Sequence, residues 1–142
     1  MGLYNELRGY YSGQFGSEEK IIENLFKEIE KYIKSSDING FYPRNIFSEN
    51  KEVEFYVFFA DKIMTLKPNK DKYLITSIMS IKSLMNYKID RELIYGRIQK
   101  VIFEFLNQDT IIFEPREDTN CHWSQLFSEE LEMISRSIIH EC

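Results

Sequence analysis

Between residues 17 and 34, Ile21, Ile22, Leu25, Phe26, Ile29, Tyr32 and Ile33 fall on one stripe of a 3.6-residue period. That spacing predicts an amphipathic helix. Ser17 suits its N-cap, and Glu18 and Glu19 place negative charge at its start. Glu23 with Lys27, and Glu30 with Lys34, stand four apart on the polar side as helix-supporting pairs. Ser35, Ser36, Asp37, Asn39 and Gly40 end it. The stripe carries no charge, so the helix is expected to lie on a sheet rather than to project. Ahead of it, residues 1–16 read as a lead segment, in which Gly9, Gly13 and Gly16 interleave with Tyr10, Tyr11 and Phe15. A short helical turn fits around residues 3–8. The glycine spacing is not that of a phosphate-binding loop, because no strand precedes it.

After Gly40 the pattern changes to alternation. Residues 41–47 predict a strand that Pro43 confines to an edge or a bulge. Residues 53–59, dense in aromatic and β-branched side chains, form the strongest strand. A tight connection at 60–62 leads to a returning arm at 63–67, and Pro68, Asn69, Lys70 and Asp71 make a turn. A short strand at 73–76, a bend at 77–80 and a strand at 81–89 follow. Residues 98–106 and 110–115 form a hairpin about Asn107, Gln108 and Asp109, and 116–120 read as loop. A closing helix at 123–140 buries Trp123, Phe127, Leu131, Ile134 and Ile138, with Leu126 and Ile139 at its flanks. Ser128, backed by Glu129 and Glu130, offers that helix a second possible start. Trp123 is expected to anchor the core at the helix entrance. In the strand at 53–59, Val53, Phe55, Val57 and Phe59 share one face, and Tyr56 and Phe58 share the other beside Glu54. Both faces need cover, and the helix at 17–34 is expected to supply it over Tyr56 and Phe58. No repeat or linker interrupts residues 1–142, which read as one domain.

The stretches EFYVFFADKIMTLKP (54–68), YLITSIMSIKSLMNYKI (73–89), VIFEFLNQDTIIFEP (101–115) and WSQLFSEELEMISRSII (123–139) together resemble the pleckstrin-homology-like domain, especially its bacterial versions. Phe59, Ala60, Asp61, Lys62 and Ile63 look similar to a hairpin of that family, and residues 78–83 to a strand that this hairpin precedes. The resemblance covers about residues 41–140. It implies an α+β fold: a partly open antiparallel barrel of about six or seven strands, plugged by the C-terminal helix. The helix at 17–34 is then an extra element outside the barrel. Composition and length also resemble a small Gram-positive bacterial protein family. The alternative architecture is an open antiparallel sheet with two helices on one face. The matched positions are structural, so the resemblance carries no ligand residues.

A chain of 142 residues and 17.1 kDa suits a single core. Hydrophobic residues at 43% exclude disorder, and no apolar run approaches a membrane span. Glu6 and Arg8 spoil any signal peptide, and two cysteines exclude a disulfide-dense scaffold. The expected location is the cytoplasm. Net charge is −5, distributed as −2, +4 and −7 over residues 1–50, 51–100 and 101–142. Without a basic domain, nucleic-acid binding is not expected. The basic middle is the functional lead: Lys67, Lys70, Lys72, Lys82 and Lys88 are candidate contacts for an anionic head group or an acidic partner.

Chemistry has little to work with. Cys121 with His122, and His140 with Cys142, supply four metal-type ligands. A helix over 122–140 would hold the two pairs about 27 Å apart at 1.5 Å per residue. Neither a metal site nor a disulfide is expected, and no cofactor is implied. His122 with Glu117 or Asp118 lacks a nucleophile elbow. Glu117 with Asp118, and Glu129 with Glu130, are sequence neighbours that do not face each other across a substrate. The chain reads as a non-catalytic interaction module, holding a protein or peptide at a sheet edge or beside the closing helix. The alternative is a peripheral binder of anionic lipid or a phosphorylated ligand through residues 62–100. A homodimer would follow if the helix stripe met a second chain.

Overall fold

The computed structural model describes residues 2–11, 17–48, 51–69, 73–120 and 122–141, without the side chains of residues 17–19, 140 and 141. Its elements run α1 (Leu3–Tyr10), α2 (Ser17–Tyr32), β1 (Ile38–Arg44), β2 (Glu54–Phe59), β3 (Lys62–Pro68), β4 (Leu74–Ser80), β5 (Leu84–Arg91), β6 (Ile98–Phe105), β7 (Thr110–Phe113), α3 (Pro115–Asp118) and α4 (Ser124–Glu141). Strands β1-β2-β3-β4 form one antiparallel sheet and β5-β6-β7 a second. The fold is α+β, and its two sheets are not closed into a barrel.

Strand β2 has no polar face to give to water. Its pairs with β1 and β3 set Phe41, Phe55, Val57, Met64 and Leu66 on one face of the sheet. Tyr42, Tyr56, Phe58 and Ile63 lie on the other, and all nine are buried. The second sheet and α4 cover the Tyr42 face. There Tyr42 stacks on Phe113 at 4.1 Å and meets Phe127 at 5.2 Å, and Phe58 meets Phe103 at 5.9 Å. Helices α1 and α2 cover the opposite face. Phe26 reaches Phe41 and Phe55 at 5.6 and 5.1 Å, and Tyr4 meets Phe26 and Phe41. Each large side chain taken from water contributes about 1.5–3 kcal/mol, so the two-sided cover is a major part of the core.

Helix α2 therefore packs on sheet, but over Phe55 rather than over Tyr56 and Phe58. Once the second sheet claims the Tyr56 side, only the Phe55 side remains for α2. Ile22, Leu25, Phe26, Ile29 and Ile33 are buried, whereas Ile21 and Tyr32 at the margins of the stripe stay exposed. Glu23 pairs with Lys27 at 3.2 Å. Glu30 turns instead to α1, where it accepts from Arg8 Nε at 2.8 Å and Tyr4 Oη at 3.1 Å. This pairing helps fix α1, and Leu3, Tyr4, Leu7 and Tyr11 of the lead segment are core residues. Gly13 and Gly16 lie outside the described residues.

Other boundaries move for tertiary reasons. Asn39 and Gly40 belong to β1, not to a helix stop. A Cβ on Gly40 would lie 2.4 Å from Ile134 Cγ1, so this glycine is what lets α4 cross β1 closely. Residues 115–118, read as loop and strand end, form the short α3, with Pro115 in its first turn. Helix α4 starts at Ser124, and the Ser128 hydroxyl donates to Ile98 O rather than capping a helix. Trp123 is half-buried and stacks on Phe47 at 5.1 Å. Helices α2 and α4 contact opposite faces of the four-stranded sheet, unlike the alternative with both on one face.

Candidate functional site

Strand β4 is one of the two outer strands of its sheet, and its sequence pattern misleads. Ser77 and Ser80 suggest a bend over 77–80, yet residues 74–80 run straight and pair throughout with β3, from Pro68 opposite Leu74 to Lys62 opposite Ser80. The partner decides: seven consecutive ladder positions outweigh the weak turn preference of serine. The bend falls one step later, as a 3-10 turn at Ile81–Ser83, where Ser80 Oγ accepts from Lys82 N at 3.1 Å.

The ends of this ladder show which backbone groups face outward. Asn69 N–H donates to Tyr73 O at 2.9 Å, and Ile81 N–H donates to Asp61 O at 2.7 Å. Hydrogen-bonding residues alternate along an antiparallel pair. Residues 73, 75, 77, 79 and 81 therefore face β3, and the N–H and C=O groups of Leu74, Thr76, Ile78 and Ser80 face away from it. Among the described residues, the only protein partner to these outward groups is Ser83 Oγ, which donates to Ser80 O at 2.7 Å. Tyr73, Ile75 and Ile78 are 70, 51 and 57% exposed. No residue from 73 to 81 is charged. At the Tyr73 end, Ile21 and Leu25 of α2 and Pro68, Asn69 and Leu74 of the sheet border a groove of about 460 Å³.

The opposite edge of the sheet is finished. Phe41 N–H donates to Glu130 Oε2 at 2.8 Å, position 43 is a proline with no N–H, and Asn45 N–H donates to Asp118 O at 2.8 Å. Glu130 also accepts Leu3 N–H at 3.2 Å, so one carboxylate ties β1, α1 and α4 together. Burial pushes its pKa up, against the lowering effect of those two N–H donors. Burial likewise raises Asp118, which accepts from Tyr42 Oη at 2.8 Å and Glu114 N at 2.7 Å. Tyr42 is pushed well above the usual tyrosine value, first by burial and then by Asp118. Asp118 thus serves the core beside Arg44, not His122, whose ring meets Trp123. The described residues hold no group of three or more His, Cys, Asp or Glu fit for a metal ion. Cys121 and Cys142 lie outside the described residues, as does the side chain of His140.

Among the described residues, the candidate lysines at 67, 82 and 88 are dispersed. Lys67 stands opposite Ile75, with its ammonium 5.9 Å from the Tyr56 ring centre. Lys82 is at the other end of the β3–β4 ladder, about 20 Å away by strand rise, with Asp61 at 3.7 Å. Lys88 is on the outer side of the second sheet with Glu104 at 3.4 Å. Lys70 and Lys72 lie outside the described residues. A feature without a sequence signal is the β5–β6 turn, where Leu93, Ile94 and Tyr95 are all exposed, Leu93 fully.

The fold defines a small α+β protein with a four-stranded sheet covered on both faces and open at its β4 edge. The chain belongs to DUF3908, a family of proteins of unknown function whose model matches residues 5–129. No curated protein and no solved structure matches it. No helix among the described residues is long and apolar enough to cross a membrane.

Proposed function

We propose that the protein is a non-catalytic interaction module that takes an extended segment of a protein or peptide on the free edge of β4. The observation that carries this reading is the run of outward backbone groups at 74, 76, 78 and 80 on a strand with no charge. Native sheets commonly blunt an outer strand with lysine, proline or a bulge. Strand β5, one of the two outer strands of the other sheet, has Lys88, Asp90 and Arg91. A strand added to β4 would gain main-chain hydrogen bonds for affinity and side-chain contacts with Ile75, Ile78 and the groove beside Tyr73 for selectivity. The four-plus-three strand order with a C-terminal helix supports a pleckstrin-homology-like frame for the module. Two cysteines and no disulfide framework suit work in the reducing cytoplasm. The competing reading, an anionic ligand held by Lys67, Lys70, Lys72, Lys82 and Lys88, draws less support, because Lys82 and Lys88 already have acidic neighbours.

The test is selection of a random peptide library on the purified protein, with Ile78→Pro as the control. The Ile78 N–H points away from β3, so proline there spares the ladder and blocks the edge. Enriched peptides should alternate apolar and polar residues and lose binding to Ile78→Pro, whose melting temperature should stay within a few degrees of wild type. Peptides that bind the variant equally well, or binding to anionic vesicles in place of peptides, would remove this reading.

A further inference from the structure

We infer that the occupant of the β4 edge is a second copy of the same strand, paired antiparallel about a two-fold axis at Ser77. The inference rests on the free-edge reading above and narrows its partner to one chemistry. Four observations support it.

The outward residues of β4 are 74, 76, 78 and 80. Only a two-fold at Ser77 matches all four with their own set: Leu74 with the second copy's Ser80, and Thr76 with its Ile78, each twice. A register moved by two residues leaves one end of the ladder unmatched. Secondly, the side chains that flank the axis then meet in compatible pairs. Ile75 stands against the copy's Met79 on one face, and Thr76 against Ile78 on the other. These are β-branched and apolar cross-strand pairs, and the half-exposed Ile75 and Ile78 both gain cover.

Thirdly, in an isologous contact residue i meets the copy's residue j and only a residue on the axis meets its own image, so an uncharged strand sets no like charges opposite each other in the ladder. Residues 73–81 are uncharged, whereas β5 has three charges in its last four residues. The nearest acid on the α2 side is Glu28, which accepts from Thr76 Oγ1 at 3.4 Å and is matched by Lys31 at 3.2 Å. Fourthly, the opposite edge, β1, is closed by Glu130, Pro43 and Asp118, so pairing at β4 stops at two copies and does not run on into a fibre. The product is one continuous eight-stranded sheet. A seven-residue strand pair is about 24 Å long and smaller than a standard interface, so the dimer should be weak and concentration-dependent.

Sedimentation velocity of the full chain over a wide concentration range tests this. Wild type should pass reversibly from monomer to dimer. Ser77 is exposed and meets its own image at the axis, where two lysines or two glutamates repel. Ser77→Lys and Ser77→Glu should each weaken self-association by about tenfold or more. Their equimolar mixture should recover it as a heterodimer, which a merely unfolded variant could not do. Wild type that remains monomeric at the highest concentration overturns the inference, as does Ser77→Lys that dimerises like wild type. A monomer that still selects peptides sensitive to Ile78→Pro overturns self-pairing alone. A monomer that selects none overturns both readings.

Discussion

The two edges of the four-stranded sheet have been built to opposite ends. At β1 each outward donor from Phe41 to Asn45 is either accepted by a carboxylate or carbonyl or absent because the residue is proline. Gly40 lets α4 come down against the same strand. At β4 the outward groups of Leu74, Thr76 and Ile78 have no partner among the described residues, and the side chains nearby are apolar. An edge sealed from within is a stability feature, because leaving its buried donors unmet costs about 1–3 kcal/mol each. An edge left open and uncharged adds little to folding and offers hydrogen bonds to whatever arrives. Substitutions at β1 should therefore lower stability, and substitutions at β4 should change association.

The largest expected effect is at Gly40. Gly40→Ala forces a Cβ into Ile134 and should cost about 2–3 kcal/mol in urea unfolding. Combined with Ile134→Ala, the loss should fall short of the sum of the single losses by about 1 kcal/mol or more, since the second change makes the room the first one needs. Strict additivity would mean that α4 does not bear on Gly40.

Next comes Glu130→Gln, which replaces one of two acceptors with an amide donor facing a buried N–H. A loss of about 1–3 kcal/mol is expected. The pH dependence gives a sharper check. Burial raises the folded-state pKa of Glu130 above its ordinary 4.5, so the native state holds this proton to higher pH than the unfolded chain. The contribution is fully present below 4.5 and is lost as pH rises through the raised folded value. Wild type and Glu130→Gln should thus differ most in acid and converge toward neutrality. A gap that widens with pH would show that the N–H donors outweigh burial.

Smaller effects on folding are expected from the remaining sites. Ile78→Lys, half-exposed on β4, should alter stability by no more than about 0.5 kcal/mol while abolishing association through the edge. A large fall in its melting temperature would erase the contrast between the edges. At the β2–β3 turn, the chain's single alanine, Ala60, has φ of 49°, a conformation that favours glycine. Ala60→Gly should raise stability by about 0.5–1 kcal/mol and leave both edges as they are.

The apolar stripe of residues 21–33, the uninterrupted aromatic strand around Phe55 and the stripe from Phe127 to Ile138 were legible in sequence, because a period of 3.6 or 2 is a local property of the chain. So were the α+β class, the antiparallel hairpins and the need to cover both faces of β2. Which face α2 would cover was not legible, since it depends on where the second sheet sends Phe103 and Phe113. The lead segment looked like a glycine-rich approach because its anchors, Glu30 and Glu130, are 22 and 127 residues from Arg8 and Leu3. The lysines at 67, 82 and 88 looked like one patch because they are close along the chain, and the sheets carry them to different ends and faces. For β4 the two levels contradict each other. Serine and threonine alone argue for a bend after Thr76, and a full ladder with β3 overrides them. What the sequence determined is local: periodicity, turn chemistry and the absence of charge from 73 to 81. What the tertiary structure alone decided is which strand stands at an edge and which of its hydrogen-bonding groups face outward, because pairing is a relation between segments that no single segment contains.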